Sequence, residues 1–515
     1  MKMTKKISCV LFAALLLPCI LKAQKITYSQ PDKDDVRSVD FDIIGKINNN
    51  YLVYKHVHST YSIVVFDNEM KEIDKVKMSF LPDKLINSDI IAYRDYFYFI
   101  YQYQRKNVVY CAAAYIDGNG KIVGDPVTLD TTAISFFASN KIYNVLYSED
   151  KQRIGVYKIN SKDESNYVFT CSIFDASLKL LFKNANTIAM QAHNDFLTEF
   201  ALDNDGWIAF IKASGSTAGS DAGTVENITL MEMPRGTNEI EKYTIEVPKI
   251  YLDDIRIKVD NINKHFIIAA FYSKQKRGNI EGLYTAIWNR NSDSLVKENT
   301  FAFSDELKSN AKSEGSSRTA FNDYFLQNIV LRKDGGFAIL SESAYSTNRG
   351  VYSNRWDYAS GSPYWNNSNY YLYGSPYGYT YYPWMSPYGY GYPNQLTRYY
   401  ADNIAIIAFD STANMQWASI IPKSQFDDNS DNFIGYGIYL TSGQANFLFN
   451  QFQKRTQLLQ AQSIDPQGKV TAQPTLKELD RGYQFMPRYL KQVSSHEVLI
   501  PCQYRNYLCF AKIEF

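Results

Sequence analysis

The sequence has almost no surplus of charge, and this excludes one large class of function. Its 515 residues include 54 lysines and arginines and 53 aspartates and glutamates. Four of the lysines lie in the first 23 residues, so the chain from residue 24 onward has 50 basic and 53 acidic groups, a formal charge of −3. Proteins that bind nucleic acid usually show a basic excess that neutralises phosphates. We therefore expect no nucleic acid partner.

Histidine is scarce, and the motifs of common catalytic sites are missing. Only five histidines occur. His56 and His58 share one face of a predicted strand, but no third ligand accompanies them as a zinc site would require. No nucleophile elbow and no phosphate-binding loop is present. The sequence therefore predicts no catalytic residue, no metal and no cofactor, and it leaves enzymatic activity undecided.

Long apolar runs are confined to the N-terminus. Lys2, Lys5 and Lys6 precede an apolar stretch at residues 7–21, which is the pattern of a secretion signal cleaved after Ala23. A lipoprotein acylated at Cys19 is the alternative. No later stretch is long and apolar enough for a transmembrane helix. We therefore expect an exported protein of the periplasm, the outer membrane periphery or the extracellular space.

A hairpin recurs along the rest of the chain. An apolar strand ends at Asp117, the turn residues Gly118, Asn119 and Gly120 follow, and a second strand begins at Lys121. In this turn Asp bonds its own backbone and Gly supplies a positive φ. The same design returns at Asp465, and looser copies occur at Asp67, Asp175 and Asp410. A unit that recurs about every fifty residues indicates a stacked or radial repeat.

Each repeat offers four short strands, which we label A to D. Seven repeats are complete, and an eighth, from residue 489, stops after its C strand. A spare strand at residues 25–29 can supply the missing D strand and so remove an exposed edge. The pattern resembles the β-propeller repeats of secreted envelope proteins. It implies an all-β fold, an eight-bladed β-propeller closed by the N-terminal strand, with a seven-bladed ring as the alternative. The predicted organisation is a signal peptide at 1–23 and a single propeller domain at 24–515.

Variable loops place the predicted working surface on one face of this propeller. The A–B and C–D turns are short, whereas the B–C and D–A loops vary, and function concentrates in variable loops on a rigid scaffold. One D–A link predicts a short helix at residues 305–311 with Ser304 as its cap. The largest B–C insertion, residues 345–401, is rich in tyrosine and almost free of aliphatic residues, so it cannot build a core of its own.

Two interpretations of this insertion stay open, a low-complexity loop or an aromatic platform for a glycan or a protein surface. The predicted binding residues of the platform are Trp356, Tyr364, Trp365, Tyr377, Tyr379, Trp384, Tyr388 and Tyr390.

Two functions from different classes compete. The first hypothesis is a non-catalytic envelope propeller that binds a protein or glycan partner through the B–C/D–A face and the tyrosine-rich insertion. The alternative is a glycan-active hydrolase or lyase on the same scaffold, whose acidic groups come from separate blades. Converging carboxylates accompanied by Tyr or Arg would favour the enzyme, and a purely aromatic and neutral surface would favour binding.

The last hairpin contains two cysteines at matching distances from its turn. If Arg505 and Asn506 form the turn, Cys502 and Cys509 face each other across two strands. Directly opposed residues lie within the Cα separation that a disulfide accepts, and export permits oxidation. The sequence therefore predicts a disulfide, with two reduced thiols in a packed blade as the alternative.

Overall fold

A computed structural model shows a nearly all-β protein built from several four-stranded antiparallel sheets. It describes residues 25–36, 39–135, 138, 141–163, 165–191, 195–215, 225–276, 278–312, 318–348, 351–352, 397–428, 431–441, 443–453, 456–473 and 482–515. The predicted signal peptide and Cys19 lie outside these residues. No helix in this described part of the chain is long and apolar enough to cross a membrane.

The strands of the first half follow a spare strand, β1 (Lys25–Tyr28), and fall into four units. Unit one comprises β2 (Val39–Ile47), β3 (Asn50–Val57), β4 (Thr60–Phe66) and β5 (Glu72–Lys77). Unit two comprises β6 (Asn87–Ala92), β7 (Tyr96–Arg105), β8 (Val108–Asp117) and β9 (Val127–Ala133). Unit three comprises β10 (Tyr143–Tyr147), β11 (Arg153–Asp163), β12 (Asn166–Asp175) and β13 (Leu180–Ala189). Unit four comprises β14 (Asp195–Leu202), β15 (Ile208–Gly215), β16 (Val225–Met233) and β17 (Glu241–Ile245).

The second half continues the same order. Unit five comprises β18 (Tyr251–Asp260), β19 (His265–Ser273), β20 (Gly282–Asn289) and β21 (Ser294–Ala302). Unit six comprises β22 (Tyr324–Leu331), β23 (Phe337–Asn348), the short β24 (Val351–Tyr352), β25 (Thr397–Phe409) and β26 (Met415–Asp428). Unit seven comprises β27 (Tyr436–Thr441), β28 (Gln444–Gln453), β29 (Thr456–Ile464) and β30 (Val470–Ala472). Unit eight comprises β31 (Tyr483–Phe485), β32 (Lys491–Gln492), β33 (Glu497–Tyr504) and β34 (Tyr507–Glu514).

Neighbouring strands pair within each unit; in unit six β23 pairs with both β24 and β25, and in unit eight β31 and β32 both pair with β33. Two further pairings connect different units or the two ends of the chain. β1 pairs with β34 in antiparallel register, from Lys25 opposite Glu514 to Tyr28 opposite Ala511. This is the pairing predicted for the spare N-terminal strand. Val225 of β16 pairs with Leu252 of β18, so units four and five share one hydrogen-bonded sheet.

The recurring aspartate turn forms as predicted. In the best copy, the Asp117 Oδ1 atom accepts hydrogen bonds from the backbone N–H groups of Asn119 (2.8 Å) and Lys121 (2.9 Å). The aspartates of the other four copies accept the same two bonds. These turns join the C and D strands at one edge of each sheet.

The core lies between the units rather than within them. Many B and C strands are apolar throughout, as expected of a sheet covered on both faces. Among the described residues, buried side chains form eight clusters, each dominated by two consecutive units. One of them joins the last unit to the first, since Phe41 and Phe66 of unit one pack with Leu499 and Phe510 of unit eight.

The predicted short helix is present in the link between units five and six. Helix α1 (Asp305–Ala311) begins after Ser304, whose side chain accepts a hydrogen bond from the backbone N–H of Leu307. Leu307 and Ala311 are buried in the cluster between these two units. The helix therefore packs on the surface from which the insertion of unit six emerges.

Two strand boundaries differ from the sequence prediction, and proline is involved in both. The D strand of unit two begins at Val127 rather than Lys121, since the chain turns at Gly124 and Pro126 offers no N–H to a ladder. The A strand of unit eight is split into β31 and β32 by a 3₁₀ turn at Pro487–Tyr489.

Candidate functional site

The eight aromatic residues of the predicted platform all lie outside the described residues, so the platform stays a prediction. What is described is the root of the insertion. There β23 pairs with β25, and the pairing continues to Asn348 opposite Thr397. The insertion therefore leaves the sheet as an extension of two central strands.

A stack of aromatic rings crosses this root. Tyr345 and Tyr400 lie opposite each other in register, with ring centroids 4.5 Å apart and planes 11° apart. Phe426 follows on the third strand, 6.4 Å from Tyr400. The guanidinium of Arg318 lies 4.9 Å from the Tyr345 ring centroid, and that of Arg398 lies 4.6 Å from the Phe426 ring centroid. The ring faces are thus largely occupied by one another and by guanidinium groups.

Both of these arginines are also paired with a carboxylate. Arg398 donates to Asp428 at 2.7 and 3.1 Å, and Arg318 forms an ion pair with Asp323. Because each guanidinium charge is compensated locally, the stack presents no net attraction for an anion. Its observed contacts hold the base of the insertion in place.

A buried ion pair lies below the stack. Lys423 and Glu342 are almost fully buried and approach to 2.7 Å. The Lys423 ammonium also donates to the carbonyl of Ala401 and to Gln425, each at 2.9 Å. Burial lowers the pKa of Lys423. A charge so enclosed is out of reach of a ligand, so we interpret this pair as a structural link within unit six.

Cys502 and Cys509 occupy the predicted positions. They are register partners in β33 and β34, both are buried, and both carry free thiols. Their sulfur atoms are 3.0 Å apart. Burial and the hydrogen bond with Cys509 raise the pKa of the Cys502 thiol. The two thiols therefore face each other, and the disulfide stays a prediction.

Charged groups on or beside the A strands of four units interact electrostatically with one another. We name this group the first-strand cluster; it consists of Asp42 (unit one), Asp89 (unit two), Lys141, Tyr147 and Lys151 (unit three) and Lys491 (unit eight). Asp42, Asp89 and the three lysines are half-buried, and Tyr147 leaves 50% of its surface exposed. The cluster is enclosed by protein and yet reachable by solvent.

Hydrogen bonds fix two of the lysines across unit boundaries. Lys491 of unit eight donates to the carbonyl of Ile43 in unit one at 2.8 Å. Lys151 of unit three donates to the carbonyl of Ala92 in unit two at 2.5 Å. Ile43 directly follows Asp42, and Ala92 lies three residues beyond Asp89. The lysine heads therefore approach the A strands of units one and two from opposite sides.

Both aspartates bind protons more tightly than usual, and the charge of Asp89 contributes to this at Asp42. Burial raises the pKa of Asp42; the charge of Lys491 opposes this rise, and the charge of Asp89 adds to it. Burial likewise raises the pKa of Asp89, against the charge of Lys141 and a hydrogen bond from Asn87. The surrounding protein and both aspartate charges raise the pKa of Tyr147. Strongly perturbed groups in one accessible cluster are typical of functional sites.

A second group of charges on the A strands has a clear structural role. Glu199 of unit four accepts a hydrogen bond from Arg256 of unit five at 2.9 Å. Asp254 of unit five accepts the backbone N–H of Leu326 in unit six at 2.5 Å. Glu199 and Asp254 lie at bulges with positive φ, where the ladder leaves backbone groups unpaired. These carboxylates join neighbouring units through hydrogen bonds.

The sequence analysis missed the first-strand cluster, although a local signal exists. Asp42 and Asp89 each precede a pair of isoleucines in the A strand of consecutive units. The second isoleucine of each pair, Ile44 and Ile91, is buried in the cluster shared with the next unit. An aspartate repeated at one position of a mostly apolar strand is the pattern that could have identified them.

Comparison with known proteins assigns no family. No protein-family model matches the chain, and no curated protein matches it. Similar solved structures include a prolyl endopeptidase, with 7% identity and a TM-score of 0.41 over 92% of this chain and 56% of that chain. An ulvan lyase, a polysaccharide lyase, has 9% identity and a TM-score of 0.36 over 82% of this chain and 90% of its own. An apocarotenoid oxygenase from Synechocystis has 8% identity and a TM-score of 0.32 over 95% of this chain and 91% of its own.

These similar chains include propeller-like and all-β proteins. The present chain spans little more than half the length of the endopeptidase.

Proposed function

We propose that the protein is an exported, eight-bladed β-propeller closed by its N-terminal strand, and that it acts on a glycan at the first-strand cluster. The eight core clusters support the ring, because they connect each unit to the next and the last unit to the first. The pairing of β1 with β34 supports the closure. The propeller domain spans residues 24–515, with the insertion at 345–401 as part of it.

One feature supports the activity above all others: Asp42 and Asp89 lie on the contacting strands β2 and β6, and both interact electrostatically with Tyr147. Hydrolysis of a glycosidic bond usually employs two carboxyl groups. One gives its proton to the leaving oxygen, and the other takes a proton from the attacking water, so one water is consumed and two hydroxyl groups result. A carboxyl with a raised pKa holds the proton that the first step needs. Converging carboxylates with tyrosine were the feature that would favour an enzyme over a purely binding protein.

Substitution of either aspartate tests this proposal. Purified protein is screened against a panel of polysaccharides for the release of reducing ends. Asp42→Asn and Asp89→Asn should each lower turnover about 100-fold or more, since each removes one proton-transfer group. Asp95→Asn, an exposed aspartate in the A–B turn of unit two, is the matched control and should retain full turnover. Full activity in both folded cluster variants would refute the proposed role.

A second candidate function is the non-catalytic binding of an envelope protein or glycan through the B–C/D–A face. The anchored root of the insertion favours it, because the pairing of β23 with β25 holds both ends of the insertion at one place on unit six. Deletion of residues 353–396 leaves the strand pairing at the root and should preserve folding. Capture of the partner from envelope extract should be lost, and unchanged capture would exclude this function for the insertion.

A further inference from the structure

We propose that the first-strand cluster recognises an anionic glycan, one that carries carboxylate or sulfate groups, through Lys141, Lys151 and Lys491. This inference rests on the proposed function, since it names the class of glycan that the same site accepts.

The lysine heads are placed by contacts with neighbouring units. Lys491 and Lys151 each donate one hydrogen bond to a backbone carbonyl, of Ile43 and of Ala92 respectively. An ammonium group has three donors, so each lysine retains donors for a ligand. All three lysines are half-buried, which limits the water around them.

Positive charge is in excess within the cluster. Three ammonium groups accompany two carboxyl groups, and Tyr147 adds none. Lys151 and Lys491 also repel each other, because after burial the charge of Lys491 is what lowers the pKa of Lys151. An anion placed between these lysines would relieve their repulsion. This local excess is notable in a chain whose residues from 24 onward carry a formal charge of −3.

The guanidinium charges of Arg256, Arg318 and Arg398 are, in contrast, compensated by carboxylates. Arg256 lies 2.9 Å from Glu199 and 3.3 Å from Asp254. Arg398 and Arg318 at the root of the insertion are each paired with an aspartate. In the first-strand cluster, Lys491 interacts with Asp42 and Lys141 with Asp89, and Lys151 adds a third positive charge. An acidic sugar would place its anionic group there and its glycosidic oxygen within the same cluster as Asp42 and Asp89.

The test compares two oligosaccharides of equal length. Calorimetry measures binding of tetragalacturonate and of the same tetramer with its carboxyl groups reduced to alcohols. A sulfated neutral tetramer forms a third arm and separates sulfate from carboxylate as the source of charge. The full-length exported protein is used, with Lys141→Gln, Lys151→Gln and, as an exposed control in unit two, Lys121→Gln. Melting temperatures confirm that each variant is folded.

We expect at least one anionic tetramer to bind about tenfold or more tightly than the reduced tetramer. Each cluster variant should lose about tenfold in affinity for the anionic tetramer and less than about twofold for the neutral one, with the control unchanged. Added salt should weaken only the anionic binding. Equal binding of the charged and reduced tetramers by folded wild-type protein, with no effect of the lysine variants, would overturn the inference and leave the proposed function standing. If the protein neither binds nor cleaves any of the glycans, both the inference and the proposed function are wrong.

Discussion

Aspartate residues have lowered pKa values at some positions of this protein and raised pKa values at others, depending on the surroundings of the carboxyl group. The turn aspartate Asp175 accepts a hydrogen bond from the Ser177 hydroxyl at 2.6 Å and others from backbone N–H groups, and these bonds lower its pKa. Asp42 and Asp89 lie in enclosed surroundings beside each other, and their pKa values rise. Hydrogen-bond donors stabilise the ionised carboxylate, whereas burial and a like charge favour the protonated acid. The turn aspartates are therefore structural, and the cluster aspartates can exchange protons.

Complete burial of a third carboxyl group, that of Glu232, predicts that the stability of the folded protein depends on pH. Glu232 is fully buried opposite Glu241, and burial, Asp293 and Glu241 raise its pKa from 4.5 to about 8. The folded state then binds the proton more tightly than the unfolded state, so stability falls as pH rises from about 4.5 through 8. Glu232→Gln removes this charge. It should stabilise the protein by about 1–3 kcal/mol at pH 8.5 and much less at pH 5.

Thermal melting at the two pH values measures this effect. Glu239→Gln, an exposed glutamate of the same unit, serves as the control and should melt as the wild type does at both pH values. If Glu232→Gln gives the same pH profile as the wild type, Glu232 is ionised in the folded protein without penalty.

The facing cysteines predict a disulfide that forms before the last unit is packed. The raised pKa of buried Cys502 leaves little thiolate, so oxidation by a thiol–disulfide exchange catalyst must precede burial. Mass spectrometry of freshly exported, non-reduced protein should show Cys502 and Cys509 joined. Cys111 and Cys171 are buried in different sheets and should remain thiols, which makes them an internal control. Free thiols at positions 502 and 509 would contradict the prediction.

At the scale of the element, local features were predictable because their causes lie within a few residues. The aspartate turns and the capped helix α1 need only neighbouring side chains. One detail of the turns was not predicted. The positive φ falls on Met70, Leu178 and Ala413 in three copies rather than on glycine. Two backbone N–H bonds to the turn aspartate hold these residues in a conformation that L-residues otherwise avoid.

The pairing of β1 predicts that the N-terminal strand protects an edge. Ser29 N–H donates to the Phe510 carbonyl at 2.8 Å, and the Tyr28 ring stacks on Tyr483 at 4.2 Å. Removal of residues 24–30 exposes the unpaired backbone of β34 and should lower the melting temperature and promote aggregation. Size-exclusion chromatography and thermal melting compare this truncation with a chain that begins at Gln24. An unchanged melting transition in the truncated chain would show that the edge needs no cover.

At the scale of the whole molecule, contacts between units decide what the chain can do, and these were beyond local sequence patterns. Asp42 and Asp89 are 47 positions apart, and Lys491 is hundreds of positions from both. The repeat predicted that units exist and that the first and last meet, because the spare strand and the missing strand match. It could not predict which polar side chains the A strands bring together, since this depends on how bulges and unit packing orient each strand.

One measurement tests this meeting of distant units most directly. The side-chain carboxyl of Asp42 can be titrated by ¹³C NMR in the wild type and in two variants. Removal of a negative charge by Asp89→Asn should lower the pKa of Asp42, and removal of a positive charge by Lys491→Met should raise it. Asp95→Asn, at an exposed turn, should change nothing. If neither cluster substitution moves the pKa of Asp42, units eight, one and two do not meet there, and the proposed ring with its first-strand cluster is wrong.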